Sequence, residues 1–273
     1  MVFEMEFKST FGKMIAWILV LLVLVGLLLA LYPMMLDLNM KSMFDSFISS
    51  LSTSFKSGLG LEEKIDYTNM GQYIAFIYQY IAVLIAMFAM QIGANSLARE
   101  QSLGNIEYIY SNPISRSEIV TQKLLSSVLT YIIFLVVLAV ATFGLAVVLT
   151  PKDADIRKQQ IVIDLIKIFV GLLASGFVYM SIGYFVSSLS KTINYTEGIS
   201  VLFVLINIIL IIFGKINGGT LKNIINNFSL EVFKPIKMLT GTFSIVGILI
   251  NLVVFVIFIL LTYLVYDKKE LKF

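Results

Sequence analysis

The chain has 273 residues, of which 59% are apolar and 14% charged, with a net charge of +3. Soluble domains carry roughly 25% charged residues, so this composition excludes a soluble globular enzyme, and the mild charge offers no clustered basic face for nucleic acid. The absence of Cys and His excludes a disulfide, a Cys- or His-ligated metal site, and thiol or imidazole catalysis.

In chain order, Phe3, Phe7 and Phe11 recur every four positions, with Glu4 and Lys8 off that face. Residues 1–13 are therefore expected to form an amphipathic helix at the bilayer surface. Met14–Leu36 follows as 23 uncharged residues. That exceeds the apolar core of a signal peptide, about 7–15 residues, and suits a membrane span of about 20. Five more uncharged stretches qualify: Gly71–Ser96, Leu124–Thr150, Ile168–Leu189, Gly198–Gly214 and Met238–Tyr266. Their lack of Asp, Glu, Lys and Arg matters because one such side chain at mid-bilayer costs roughly 2.5–3.5 kcal/mol on the insertion scale. The expected fold is an all-α integral membrane protein of six transmembrane helices over residues 14–266, with a charged tail at 267–273.

The connections differ in character. Asp37–Met70 is long and holds Asp37, Asp45, Glu62, Glu63 and Asp66; Pro151–Lys167 is short and charged; Ser190–Glu197 is a tight turn. Lys215–Lys237 carries Leu221, Ile224, Ile225 and Phe228 at helical spacing. This pattern fits a segment that dips into the membrane or lies on it, with a solvated loop as the plainer alternative. Small residues at Gly171, Ser175 and Gly183 point to close helix packing on the fourth span. With both termini inside, nine of the 20 basic residues fall on inner segments and eleven on the longer outer loops. The positive-inside rule thus leaves the orientation open.

The loop Leu97–Lys123 is the most informative segment. Gly104 breaks the helix leaving the second span. Asn105–Ser111 can form a short helix, which Asn112-Pro113 stops because proline disfavours helical geometry in the residue before it. Ser115-x-x-Glu118 is a capping box that opens the next helix. Ile106, Ile109 and either Tyr108 or Tyr110 would face water unless something docked on them, and an exposed apolar patch of this kind marks an interaction site. A capped connection without a partner is the alternative.

This loop resembles the cytoplasmic loop of ABC-2 type transporter permeases, the membrane subunits of ATP-binding cassette exporters. Their pattern, R-E-x-x-x-G-x-x-E-x-L-x-x-x-P-x-S-R-x-E-[IL]-x-x-x-K, is met by Arg99-Glu100, Gly104, Glu107, Pro113, Ser115-Arg116, Glu118 and Lys123. Ile109 and Tyr110 replace the usual leucines. The resemblance implies that Asn105–Ser111 is a coupling helix seated in a groove of the ATPase, with Ile106, Ile109 and Tyr110 giving apolar contact. Arg99, Glu100, Glu107 and Arg116 would give polar contact. It implies a bacterial cell membrane with both termini cytoplasmic, an ABC ATP-binding subunit and a second permease, either a copy or a paralogue, as partners.

The two Gly-Lys pairs, Gly12-Lys13 and Gly214-Lys215, lack the rest of a P-loop, G-x-x-x-x-G-K-[ST]. No cofactor is expected in this chain; ATP and Mg belong to the partner ATPase, and the chain itself is expected to be non-catalytic. Among the polar residues of the spans (Gln72, Gln79, Gln91, Asn207 and Asn251), the resemblance implies Gln79 and Asn207 as the better candidates for lining a pathway, because the second and fifth spans tend to line it in that family; interhelical hydrogen bonding is the alternative. An uncharged, aromatic-rich interior suits a hydrophobic or amphipathic substrate such as a peptide, antibiotic or lipid-like molecule. A membrane-embedded immunity or scaffold protein that binds a toxic peptide without transport needs only the same bundle, and is the alternative function.

Overall fold

In a computed structural model of the chain, residues 2–61, 65–103, 114–151, 157–190 and 192–269 are described, the side chains of residues 100–103 excepted. All regular structure among them is helical. In chain order the helices are α1 (Val2–Leu29), α2 (Tyr32–Leu36), α3 (Leu38–Ser50), α4 (Thr53–Leu59), α5 (Met70–Leu103) and α6 (Arg116–Leu149). They continue with α7 (Lys158–Leu189), α8 (Ile193–Asn217), α9 (Gly219–Ile225), α10 (Ser229–Val232), α11 (Pro235–Thr240) and α12 (Ile245–Lys268). Among the described residues, six stretches are long and apolar enough to cross a membrane: Val2–Leu36, Met70–Arg99, Arg116–Leu149, Lys158–Leu189, Ile193–Asn217 and Ile245–Lys268. The chain is an all-α, multi-pass membrane protein.

Burial decides which helices are central. The most apolar windows of α5 and α7 are 72% and 56% buried, against 17–28% for the other four. Helices α5 and α7 form the central pair; α1 packs on α6, α8 on α5, and α12 on α7. Phe88 of α5 anchors one side of the core, its ring centroid 4.3 Å from that of Phe134 on α6 and 5.8 Å from that of Trp17 on α1. Buried tyrosines need a partner for the hydroxyl, and three of them find one across a helix contact. Tyr131 donates to the Leu172 carbonyl at 2.9 Å, and Tyr73 to that of Leu28 at 2.7 Å. Tyr78 and Thr142 share a hydrogen bond of 2.6 Å.

Several boundaries differ from those expected. Residues 2–29 form one unbroken helix, so the amphipathic entry segment and the first span are continuous; no Pro parts them, Ser9 and Thr10 donate back to the Glu6 carbonyl instead of capping a new helix, and Gly12 keeps a negative φ. The protein-facing stripe of this segment is Val2, Glu6, Thr10 and Met14 rather than the phenylalanines. Glu4 and Lys8 pair at 2.8 Å on its exposed face. The helix ends at Leu29, and Pro33, near the start of α2, begins a new one. The expected sixth span, Met238–Tyr266, is interrupted. Gly241, at φ +72°, closes α11 in a left-handed conformation that glycine adopts without penalty. Ser244 then caps α12 by accepting from the Gly247 N–H at 3.1 Å.

The fourth span begins ten residues earlier than expected, at Lys158, which brings in Asp164. At about 1.5 Å per residue, the 32 residues of α7 reach roughly 48 Å, well beyond a hydrocarbon core of about 30 Å. Its charged start can therefore project from the core, and the uncharged stretch read from sequence is the part left to cross it.

The segment after α8 is folded against the bundle. Ile225, Val232, Phe233 and Ile236 are buried, as are Glu231 and Lys234. Glu231 pairs with Lys215 and lies 3.6 Å from Lys237. Ser229 donates to Ser175 at 3.1 Å, and a Cβ on Gly171 would meet the Met238 side chain. Two of the three small residues on α7 thus receive this returning segment, and Gly183 alone receives a neighbouring span.

Candidate functional site

The stems of the α5–α6 connection, the start of α1 and the ends of α7 and α12 share one end of the bundle. The tip of the connection, with Gly104, Ile106, Glu107, Ile109, Tyr110 and Pro113, lies outside the described residues, as does the Glu100 side chain. Its two stems are described. Helix α6 opens as the capping pattern predicts, with Ser115 Oγ accepting from the Glu118 N–H at 3.2 Å.

Arg116 reaches across to α12. Its Nη1 donates to the carbonyls of Tyr266, Asp267 and Lys269 at 3.2, 2.8 and 2.6 Å. The last carbonyls of a helix lack intrahelical partners and carry partial negative charge, so a guanidinium there satisfies both needs. Lys269 in turn donates to the Ser190 carbonyl at 2.6 Å, just past the end of α7. Replacing Arg116 with Met removes these bonds. Because the site is part-exposed, the expected loss is about 2 kcal/mol, near the value of one charge-assisted bond. That corresponds to roughly thirty-fold faster amide exchange in the last turn of α12, with the rest of the bundle unchanged.

Deeper in, Glu6 of α1 sits between the stems. Its Oε2 is 3.2 Å from Lys123 Nζ of α6, and its Oε1 is 3.8 Å from Arg99 of α5. The Lys123 side chain is wholly buried and that of Glu6 3% exposed. Lys123 also donates to the Ser96 carbonyl at 2.5 Å. Hydroxyls extend the layer to α7: Tyr184 donates to Ser96 Oγ at 3.0 Å and shares a 2.7 Å bond with Ser127. Ser187 Oγ accepts from the N–H groups of Leu97 and Ala98, each at 2.9 Å. A second group brings in α8. Glu197 pairs with Lys13 of α1 and accepts from Asn95 at 2.8 Å, and Thr196 donates to Asn95 at 3.0 Å. All six spanning helices are thereby tied to the stems of one loop, α12 through the backbone carbonyls at its end.

A separate cavity of about 390 Å³ lies between α7, α8, α9 and α12. Its wall is mainly apolar and includes Val178, Ile182, Phe203 and Val254, with Tyr179, Asn207, Asn227, Ser229 and Asn251 as polar members. Tyr179 donates to Asn207 Oδ1 at 3.2 Å.

Residues 1–271 match the family described as ABC-2 family transporter protein. The chain belongs to the ABC-2 transporter family. It is a membrane-embedded permease component of an ABC transporter, and that membership implies an ATP-binding partner. No curated protein matches the sequence.

In this ABC-2 permease the candidate residues separate into two places. Arg99 and Arg116 are on the two stems, both turned to the permease's own helices: Arg99 to Glu6, Arg116 to α12. Asn207 is on the cavity wall. Gln79 lies outside that wall; its Nε2 is 3.5 Å from the carbonyls of Leu59 and Gly60, beneath the long connection after the first span. Sequence reasoning missed Glu6, Asn95 and Glu197. Their only signal was a carboxylate or amide at or near the edge of an apolar run, and the partners stand 93 to 184 positions away in the chain.

Proposed function

We propose that this chain is the transmembrane subunit of an ABC-2 exporter that moves an uncharged hydrophobic or amphipathic molecule out of a bacterial cell by alternating access. Both termini and the α5–α6 connection face the cytoplasm. A separate ATP-binding subunit holds ATP and Mg, hydrolyses the nucleotide and docks on residues 105–111. A second permease, identical or paralogous, completes the pathway.

The observation that carries this reading is the buried polar layer. A coupling element works only if its displacement reaches the helices that line the pathway, and packed bundles respond as rigid bodies rather than by continuous deformation. Here the loop stems are fastened to every span through Glu6, Asn95, Ser96, Lys123, Tyr184, Ser187, Glu197 and Arg116. A push on the connection moves the bundle as one piece against its partner.

The test is co-purification of the tagged chain with an ABC ATPase from its native membranes, followed by reconstitution of the pair. Glu107→Lys and Ile109→Pro change the tip of the connection and none of the residues that form the buried layer. Each is expected to cut permease-stimulated ATP hydrolysis at least tenfold while leaving the thermal unfolding of the permease unchanged. Wild-type stimulation by both variants would remove the tip from the coupling role.

A further inference from the structure

We propose that the cavity between α7, α8, α9 and α12 is a binding site for an apolar molecule carrying an uncharged secondary amide, entered sideways from the lipid. The inference names a substrate class and so rests on the transport reading, but the binding it asserts needs neither ATP nor the ATPase.

Two side-chain amides set the chemistry. Asn251 is 4% exposed, and its Nδ2 donates to the Asn227 carbonyl at 2.9 Å and the Gly247 carbonyl at 2.8 Å. Two carbonyls can only accept, so the nitrogen faces them and the orientation of this amide is fixed. Its Oδ1 then remains as an acceptor without a hydrogen-bond donor among the described residues. Asn207 is the complement: its Oδ1 accepts from Tyr179, which leaves the Nδ2 hydrogens as donors without an acceptor among the described residues. The cavity thus offers one acceptor and one donor on walls that are otherwise apolar. A secondary amide presents the matching N–H and C=O in a single rigid group. A polar group left unmatched in apolar surroundings is penalised by its lost hydration, and this provides the selectivity.

The wall excludes the other classes. No lining residue is Asp, Glu, Lys or Arg, so an ionised ligand would lose its hydration with nothing to compensate it. A volume of about 390 Å³ falls within the ~300–1,000 Å³ typical of small-molecule sites. Phe203, Ile224 and Ile250 on the rim are exposed on the outside of the bundle. A ligand can therefore seat its amide while an acyl tail stays in the bilayer.

The experiment uses the full chain alone in phosphatidylcholine nanodiscs, with N-dodecanoyl-photoleucine methylamide as a photoactivatable probe. Labelling should map to the peptides holding Phe203 or Val254. Unlabelled N-dodecanoyl-leucine methylamide should compete, whereas the corresponding free carboxylate and the N–H-free ester dodecyl 4-methylpentanoate should not. Asn207→Leu should lower labelling at least fivefold, and Val254→Trp, which acts by filling the cavity, should do the same if Asn207→Leu impairs folding. Equal competition by the ester, or labelling indifferent to both variants, would make the cavity a lipid-filled groove and overturn the proposal. Cross-linking at Phe203 between two copies of the chain in place of probe labelling would assign the cavity to the permease partner and overturn it too. Labelling intact in a chain that neither co-purifies with an ABC ATPase nor stimulates one would count against the proposed function alone.

Discussion

Lys123→Met is expected to be among the most destabilising single substitutions in the bundle, lowering the midpoint of thermal unfolding by on the order of 10 °C. The Lys123 ammonium is fully buried, and the Glu6 carboxylate it faces is 3% exposed. Removing one member of a buried ion pair typically costs about 3–5 kcal/mol, because the remaining charge has lost its water and its counter-ion together. Arg99 stands 3.8 Å from the other Glu6 oxygen and offsets part of that cost, which places the effect near the lower end. Methionine keeps most of the volume of lysine, so a cavity contributes little. The charge argument makes a second demand. Adding Glu6→Gln to Lys123→Met replaces the stranded carboxylate by a neutral amide, so the double variant should regain at least half of the lost stability. Glu6→Gln alone should destabilise. If the double variant is no more stable than Lys123→Met, the loss comes from packing and the ion pair is incidental. The measurement is thermal unfolding of the four proteins in one detergent, with hydrolysis by the reconstituted ATPase as a functional readout.

The legible part of this architecture was the part written locally. Uncharged runs long enough to span gave six crossings, because hydrocarbon tolerates few alternatives to a helix. Ser115 and Glu118 marked the start of α6 three residues apart, and the cap bond is there. What failed locally were boundaries set by tertiary contact. Asp164 looked like a loop residue; in the folded chain it is buried on an extension of α7, accepting from Gln160 at 2.8 Å. Lys234 and Glu231 belonged to a segment legible only as amphipathic, and they are buried because that segment folds back on α7. The phenylalanine stripe of the first helix pointed to a membrane surface. The face that packs is the adjacent one with Glu6 and Thr10, and a carboxylate reads as buried only once Lys123 is known to meet it. Gln79 and Asn207 were equivalent in sequence, each an amide on an apolar helix. Only the return of α9 and α10 toward α8 and α12 separates the one in the cavity wall from the one beneath the long connection.

Gly93→Ala and Gly183→Ala are each expected to destabilise the bundle sharply, in opposition to helix propensity. In an isolated helix either change should help by about 0.8–1 kcal/mol. Neither glycine has positive φ, so alanine meets no backbone strain. The crossing of α5 and α7 decides the outcome. A Cβ on Gly93 would overlap the Met180 carbonyl oxygen and come within 3.0 Å of the Tyr184 nitrogen; one on Gly183 would overlap the Met90 carbonyl oxygen and come within 2.9 Å of the Ala94 nitrogen. These are backbone atoms of the facing helix, which no rotamer change can move aside. The two central helices must separate, at an overpacking cost of about 1–3 kcal/mol or more. Separation also stretches the hydrogen bonds of Tyr184 to Ser96 and of Ser187 to Leu97, so coupling should weaken along with stability. Gly12, Gly144 and Gly198 provide the control: each lies in a helix with nothing within 4 Å of an added Cβ, and alanine there should be neutral or slightly stabilising. Both crossing glycines oppose the same approach of the same two helices. The Gly93→Ala/Gly183→Ala double variant should therefore cost clearly less than the sum of the singles, since helices already displaced by one methyl have room for the second. Strict additivity would place the two contacts at independent sites, and tolerance of either alanine as complete as that at Gly144 would mean that the α5–α7 crossing is looser than backbone contact.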